Sequence, residues 1–131
     1  MENMLQLINE NKPVFFATFP TDTPEGENKA LKASAPASFN LTSLVNGDPI
    51  TIEDIFLEEV NFVNDQGEPE SGIRTVIIDP DGKTYQTSSI SIINSLRRIM
   101  QIKAGKIKGT KVRVSTVTTK KGYRAFILIP A

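Results

Sequence analysis

Hydrophobic and polar positions alternate along most of the chain with a period of two, interrupted once by a stretch with helical period. Pro13-Val-Phe-Phe-Ala-Thr-Phe-Pro20 places aromatic and β-branched residues between two prolines that cannot continue a ladder, which predicts a strand. A turn is expected over Thr21 to Gly26, and Lys29 to Ala33 alternates weakly. Ser34 to Val45 fits neither template, although Phe39, Leu41 and Leu44 are available to a core. Asn46-Gly47-Asp48-Pro49 is a turn signal, and Ile50 to Asn64 is a strand in which Ile50, Ile52, Ile55, Leu57, Val60 and Phe62 nearly alternate with acids. The phase slips at Asp54-Ile55, so a bulge or bend is expected there.

Asp65 to Gly72, with two glycines, a proline and three acids, reads as an exposed loop. Ile73 to Ile78 and Lys83 to Thr87 form a hairpin around Asp79-Pro80-Asp81-Gly82, with proline at the second position of the turn. The period then changes. Ser88 or Ser89 can cap a helix running to about Ala104, in which Ile92, Ile93, Leu96, Ile99 and Met100 recur every three or four residues, with Gly105 ending it. Its other face carries Arg97, Arg98, Gln101 and Lys103. Lys106 to Gly109 links it to a last hairpin: Lys111 to Thr119 with Val112, Val114 and Thr116 inward, a turn at Lys120-Lys121-Gly122, and Tyr123 to Ile129. Either face of that final strand can be the core face.

This order, several strands, one helix and a two-stranded hairpin, is that of the OB-fold: mainly β, a five-stranded, partly open Greek-key barrel with a helix between its third and fourth strands. The 131 residues, 39% of them hydrophobic and 23% charged, suit one domain over 1–131. A chain of this size buries enough surface to fold without a disulfide or structural metal.

Composition narrows the chemistry. With no cysteine and no histidine, imidazole catalysis and zinc ligation lose their usual residues, so neither an enzyme nor a metal or other cofactor is expected. Asp79 with Asp81 lies in a turn and Glu58 with Glu59 in a strand, which makes both pairs structural rather than catalytic. The Asp79 turn also lacks a calcium loop's twelfth-position acid, because that place is held by Ile90. Absence of cysteine suits a reducing cytoplasm, Met1 to Glu10 has no basic leader, and no apolar run approaches the about 18 residues of a membrane span.

A net charge of zero conceals a division. Residues 1–72 hold three basic and thirteen acidic side chains, a balance of −10, whereas residues 73–131 hold twelve basic ones against Asp79 and Asp81, a balance of +10. Such asymmetry points to a polyanionic partner, or to halves that neutralise each other on folding. Holding an unpaired nucleic acid without reading its sequence takes cations that follow phosphates and flat rings on which bases stack. Candidates for that work are Arg74, Lys83, Tyr85, Lys108, Lys111, Arg113, Lys120, Lys121, Tyr123 and Arg124, with Phe56 and Phe62 as further rings. Phe15, Phe16, Phe19, Phe39 and Phe126 are assigned to core or interface.

The stretch Thr75-Val-Ile-Ile-Asp-Pro-Asp81-Gly82-Lys-Thr-Tyr85, the helix after it, Lys111-Val112-Arg113-Val114 and the Lys121-Gly122 turn resemble the small OB-fold single-stranded DNA-binding proteins of tailed phages that prime replication with a terminal protein. Met1-Glu2-Asn3 and the Asn46-Gly47-Asp48 turn agree loosely. The resemblance implies a base-stacking ring at Tyr85, with Phe56 and Phe62 standing where tyrosines are expected between Ile50 and Asn64. It implies a single-stranded DNA partner, or RNA, in the host cytoplasm during replication. The chain ends in Ile129-Pro130-Ala131, so recruitment of host partners through an acidic tail is not expected. Copies associating head to tail, acidic half on basic half, would coat a strand cooperatively. The competing expectation is a phage structural or protein-interaction module that self-associates through the same halves.

Overall fold

A computed structural model describes residues 15–45, 47–118 and 120–131, and for residues 61 and 62 the backbone alone. Pro13 and Val14 of the first expected strand, Asn46 of the second turn, Thr119 and the Phe62 ring lie outside the described residues.

The long strand expected over Ile50 to Asn64 is divided by a change of sheet. Ile50–Ile52 (β3) pairs with Thr110–Thr118 (β7), and Asp54–Val63 (β4) pairs with Pro69–Ile78 (β5), so the chain passes from one sheet to the other at Glu53. The phase slip in the sequence is this crossing. Phe15–Ala17 (β1), Phe39–Asn40 (β2) and Thr84–Thr87 (β6) complete a five-stranded sheet in the order β1-β4-β5-β6-β2, while Arg124–Pro130 (β8) completes a three-stranded sheet β3-β7-β8. Among the described residues the protein is mainly β, with two sheets and two α-helices. Among the described residues no ladder joins β8 to β6 or β2, so the expected five-stranded barrel is not closed.

Two segments depart from expectation. Pro24–Ser34 is a helix (α1), where a turn and a weakly alternating stretch were read. Thr23 caps it by accepting from the Gly26 N–H, Pro24 sits in the first turn, and Glu25 and Glu27 face the positive end of the helix dipole. Gly26 is required by space: a methyl group built there would overlap the Pro20 carbonyl oxygen. The second departure is Pro69 to Gly72, which extends β5 rather than looping, because β4 offers it partners from Val60 to Val63.

The five-stranded sheet is covered on both faces. On one, Ile55 and Ile77 join Ile50, Ile52, Val112, Val114 and Leu128 in the main core. That core is plugged by Ile92 and Leu96 of the helix Ile90–Ile102 (α2), which Ser89 caps. On the other face, α1 lays Ala33 against Phe56, Val76 and Ile78, with Phe19 packed alongside. Leu128 points inward with Phe126 beside it, which decides the face of the last strand and leaves Ile127 and Ile129 half-buried outside.

Candidate nucleic-acid interface

The Asp79–Gly82 turn builds one end of the site. Gly82 adopts φ +85°, a left-handed conformation that favours glycine. The Asp79 carboxylate accepts from the backbone N–H of Asp81 at 3.0 Å and of Lys83 at 2.8 Å. Its second oxygen accepts from the Tyr85 hydroxyl at 3.2 Å, which fixes the ring's direction. Burial, followed by the charge of Asp79, its hydrogen bond and the charge of Asp81, raises the phenol's pKa above the ordinary 10.0. Tyr85 is therefore a neutral donor at physiological pH.

From the sequence, Phe39 is expected in core or interface and not among the stacking rings. It instead lies on β2, a two-residue strand added parallel to β6, and stacks on Tyr85 with ring centroids 5.2 Å apart and planes 18° from parallel. Phe39 is 43% exposed. The pair thus presents an aromatic surface at the sheet's edge, held by the Ser38 N–H donating to Thr84 Oγ1 at 3.0 Å and by Gln86 donating to Asn40 at 3.1 Å. Beside it a recess of 280 Å³ is lined by Asn40, Thr42, Arg74, Gln86, Thr87 and Ser88. Lys83, exposed, stands two residues before Tyr85.

Arg74 is committed elsewhere. Its guanidinium donates to the carbonyls of Ala33 (2.6 Å) and Ala35 (2.8 Å), to Gln86 Oε1 (2.8 Å) and to Glu58 Oε1 (2.9 Å). It ties the end of α1 to the sheet. Lys108 is likewise engaged, with Glu53 at 2.6 Å, and this hydrogen bond and the nearby Asp54 raise its pKa. Phe56, expected as a stacking ring, is 2% exposed beneath α1 and stacks on Phe15 at 5.3 Å; a base cannot reach it in this structure.

The other candidates gather on the three-stranded sheet. Lys111 and Arg113 project from the outer face of β7, with Arg113 donating to the Gly47 carbonyl at 3.1 Å. Lys120, Lys121, Tyr123 and Arg124 cluster at the exposed β7–β8 turn, where Tyr123 is 70% exposed. Among the described residues, Lys83, Lys111, Arg113, Lys120, Lys121 and Arg124 have no carboxylate within ion-pair distance. Neutralisation between the halves of the chain is thus limited there to Arg74 with Glu58 and Lys108 with Glu53. Of the predicted residues, Lys83 and Tyr85 lie at the Phe39–Tyr85 stack and Lys120, Lys121, Tyr123 and Arg124 at the β7–β8 turn, while Lys111 and Arg113 stand at the opposite end of β7, where Arg113 is paired with Ile129. Sequence reasoning missed Phe39 and Asn40, because a two-residue strand has no periodicity to detect, and with them the role of Gln86, which lies on the expected strand β6 and meets Asn40 only through that pairing.

No cluster of three or more His, Cys, Asp or Glu side chains able to hold a metal occurs among the described residues. No helix among them is long and apolar enough to cross a membrane.

Among the described residues, cations without a carboxylate partner, with Lys83 two residues from an exposed ring pair, suit this β scaffold to binding an unpaired polyanion. The chain belongs to the phage single-stranded DNA-binding protein family of the Phi29 type, whose model matches residues 9–129. Neither a curated protein nor a solved structure matches it. Membership makes this a single-stranded DNA-binding protein of phage replication and accounts for the likeness at Thr75 to Tyr85.

Proposed function

We propose that the protein coats single-stranded DNA exposed during phage replication without reading its sequence, as one OB-type domain over 1–131 acting in the host cytoplasm. Bases stack on the Phe39–Tyr85 surface, and Lys83 with the cations of β7 and the β7–β8 turn neutralises phosphates. The observation carrying this reading is the ring pair itself: a 43% exposed phenylalanine stacked on a tyrosine whose hydroxyl is already satisfied offers its ring to another planar group. Stacking on such a surface contributes about 1–3 kcal/mol per base and tolerates any base, since each has a π-face. Arg74 supports the site by anchoring α1 and Gln86 and contributes no free charge to it. Phe56 acts in the same indirect way, from within the core.

The test is a gel-shift titration with an oligothymidine and a mixed-sequence oligonucleotide at two salt concentrations. Equal affinities that both weaken with salt support the proposal. Absence of binding at low salt, or strong preference for one sequence, contradicts it.

A further inference from the structure

On the face of the five-stranded sheet that carries Tyr85, but at the opposite end, lies a groove of 780 Å³. One wall is sheet: Phe16 opposite Leu57, and Glu59 opposite Ile73. The other is α2, which turns Ile90, Ile93 and Arg97 toward it, residues spaced by three and four and therefore on one helical face. Its apolar residues are not finished surface: Phe16 is 48%, Ile73 47% and Ile90 74% exposed. A contiguous apolar patch with a polar rim marks an interaction site.

We infer that this groove is the contact between two copies of the chain, related by a two-fold axis. Charge selects the partner. Glu59 and Arg97 face each other across the groove without forming an ion pair, and Arg97 makes its hydrogen bond along its own helix, to Asn94 Oδ1 at 3.0 Å. A two-fold contact offers each copy's Arg97 to the other's Glu59, twice over. DNA is the poorer occupant, because Glu59 lines the groove and Asp65, Glu68 and Glu70 follow at the nearby β4–β5 turn. The outer edge of β1, which has no strand partner among the described residues, lies at the same place and gives a second copy backbone groups to meet. An isologous contact closes after two copies, so it yields a dimer and not the open chain of a head-to-tail contact.

Sedimentation velocity of the full chain over a concentration series, without DNA, tests this independently of the functional proposal. The wild type is expected to form a dimer. Arg97→Glu alone and Glu59→Arg alone should each raise the dimer dissociation constant about tenfold, from two weak pairs turned repulsive. Joining the two substitutions should restore it to within about twofold. Ile90→Asp should give monomer while leaving the fold intact, since Ile90 is largely exposed and an acid suits the first turn of a helix. A wild type that stays monomeric throughout overturns the inference. So does a dimer indifferent to all four variants, or a charge swap that fails to restore association.

Discussion

Replacing Arg74 by alanine separates two roles that its sequence context leaves open, phosphate ligand and internal clamp. In the structure its guanidinium meets four acceptors, two of them carbonyls at the end of α1, and its side chain is only 13% exposed against 21% for Glu58. Truncation leaves the Glu58 carboxylate partly buried without its cation and frees the end of α1. Breaking a buried pair from one side costs about 3–5 kcal/mol. Because this pair keeps some contact with water, about 3 kcal/mol is expected, or a fall of about 12 °C in Tm at roughly 4 °C per kcal/mol for a chain of this length. Arg74→Lys retains the charge but not the planar fork, and should recover only part of the loss. The assay pairs thermal unfolding, followed by circular dichroism, with the salt dependence of oligothymidine binding below the transition. Since Arg74 is already neutralised, the slope of log K against log salt should not change. An unaltered Tm together with a slope smaller by about 0.7, the value of one phosphate contact on a single strand, would refute the clamp and return Arg74 to the DNA.

Phe39→Ala should leave Tm within a few degrees, as the ring is half exposed, but weaken oligothymidine binding about 5- to 150-fold, the equivalent of 1–3 kcal/mol of stacking. Joint replacement of Lys120 and Lys121 by glutamine should lower the salt slope by about 1.4 with no change in Tm, measured by titration at several salt concentrations. Tyr85 has its pKa raised in the fold, so the stability it contributes is present in full below pH 10.0 and is lost as pH climbs through the raised value. Denaturant unfolding should therefore show a decline above pH 10.0 that Tyr85→Phe diminishes, and Asp79→Asn should lower the phenol's titration midpoint, read from phenolate absorbance.

Much of the scaffold was legible because it rests on local signals. The Asp79–Gly82 hairpin, α2 from its Ser89 cap, and the alternation of Val112 and Val114 appear within a residue or two of where pattern places them. The crossing at Glu53 also left a trace, the phase slip before Ile55. The helix α1 was signalled by Thr23, Pro24 and two acids, yet a glycine in its first turn and a sparse apolar face, chiefly Ala30 and Ala33, masked it. That omission had consequences for the site. Without α1 the outer face of the sheet reads as open, and Phe56 and Arg74 read as surface residues; with it, one becomes core and the other a latch. Phe39 was invisible for a different reason: its exposure and its stacking on Tyr85 come from a parallel pairing 46 residues distant, which no local pattern encodes.

The stacking claim is most directly tested by fluorescence, because Tyr85 and Tyr123 are the only two tyrosines and the chain has no tryptophan. In a Tyr123→Phe variant all tyrosine emission comes from Tyr85. Titration with oligothymidine is predicted to quench that emission to saturation and added salt to restore it, with Phe39→Ala in the same background shifting the curve to higher DNA concentration. Saturable DNA binding with Tyr85 emission unchanged would contradict the account and place the bases elsewhere on the protein.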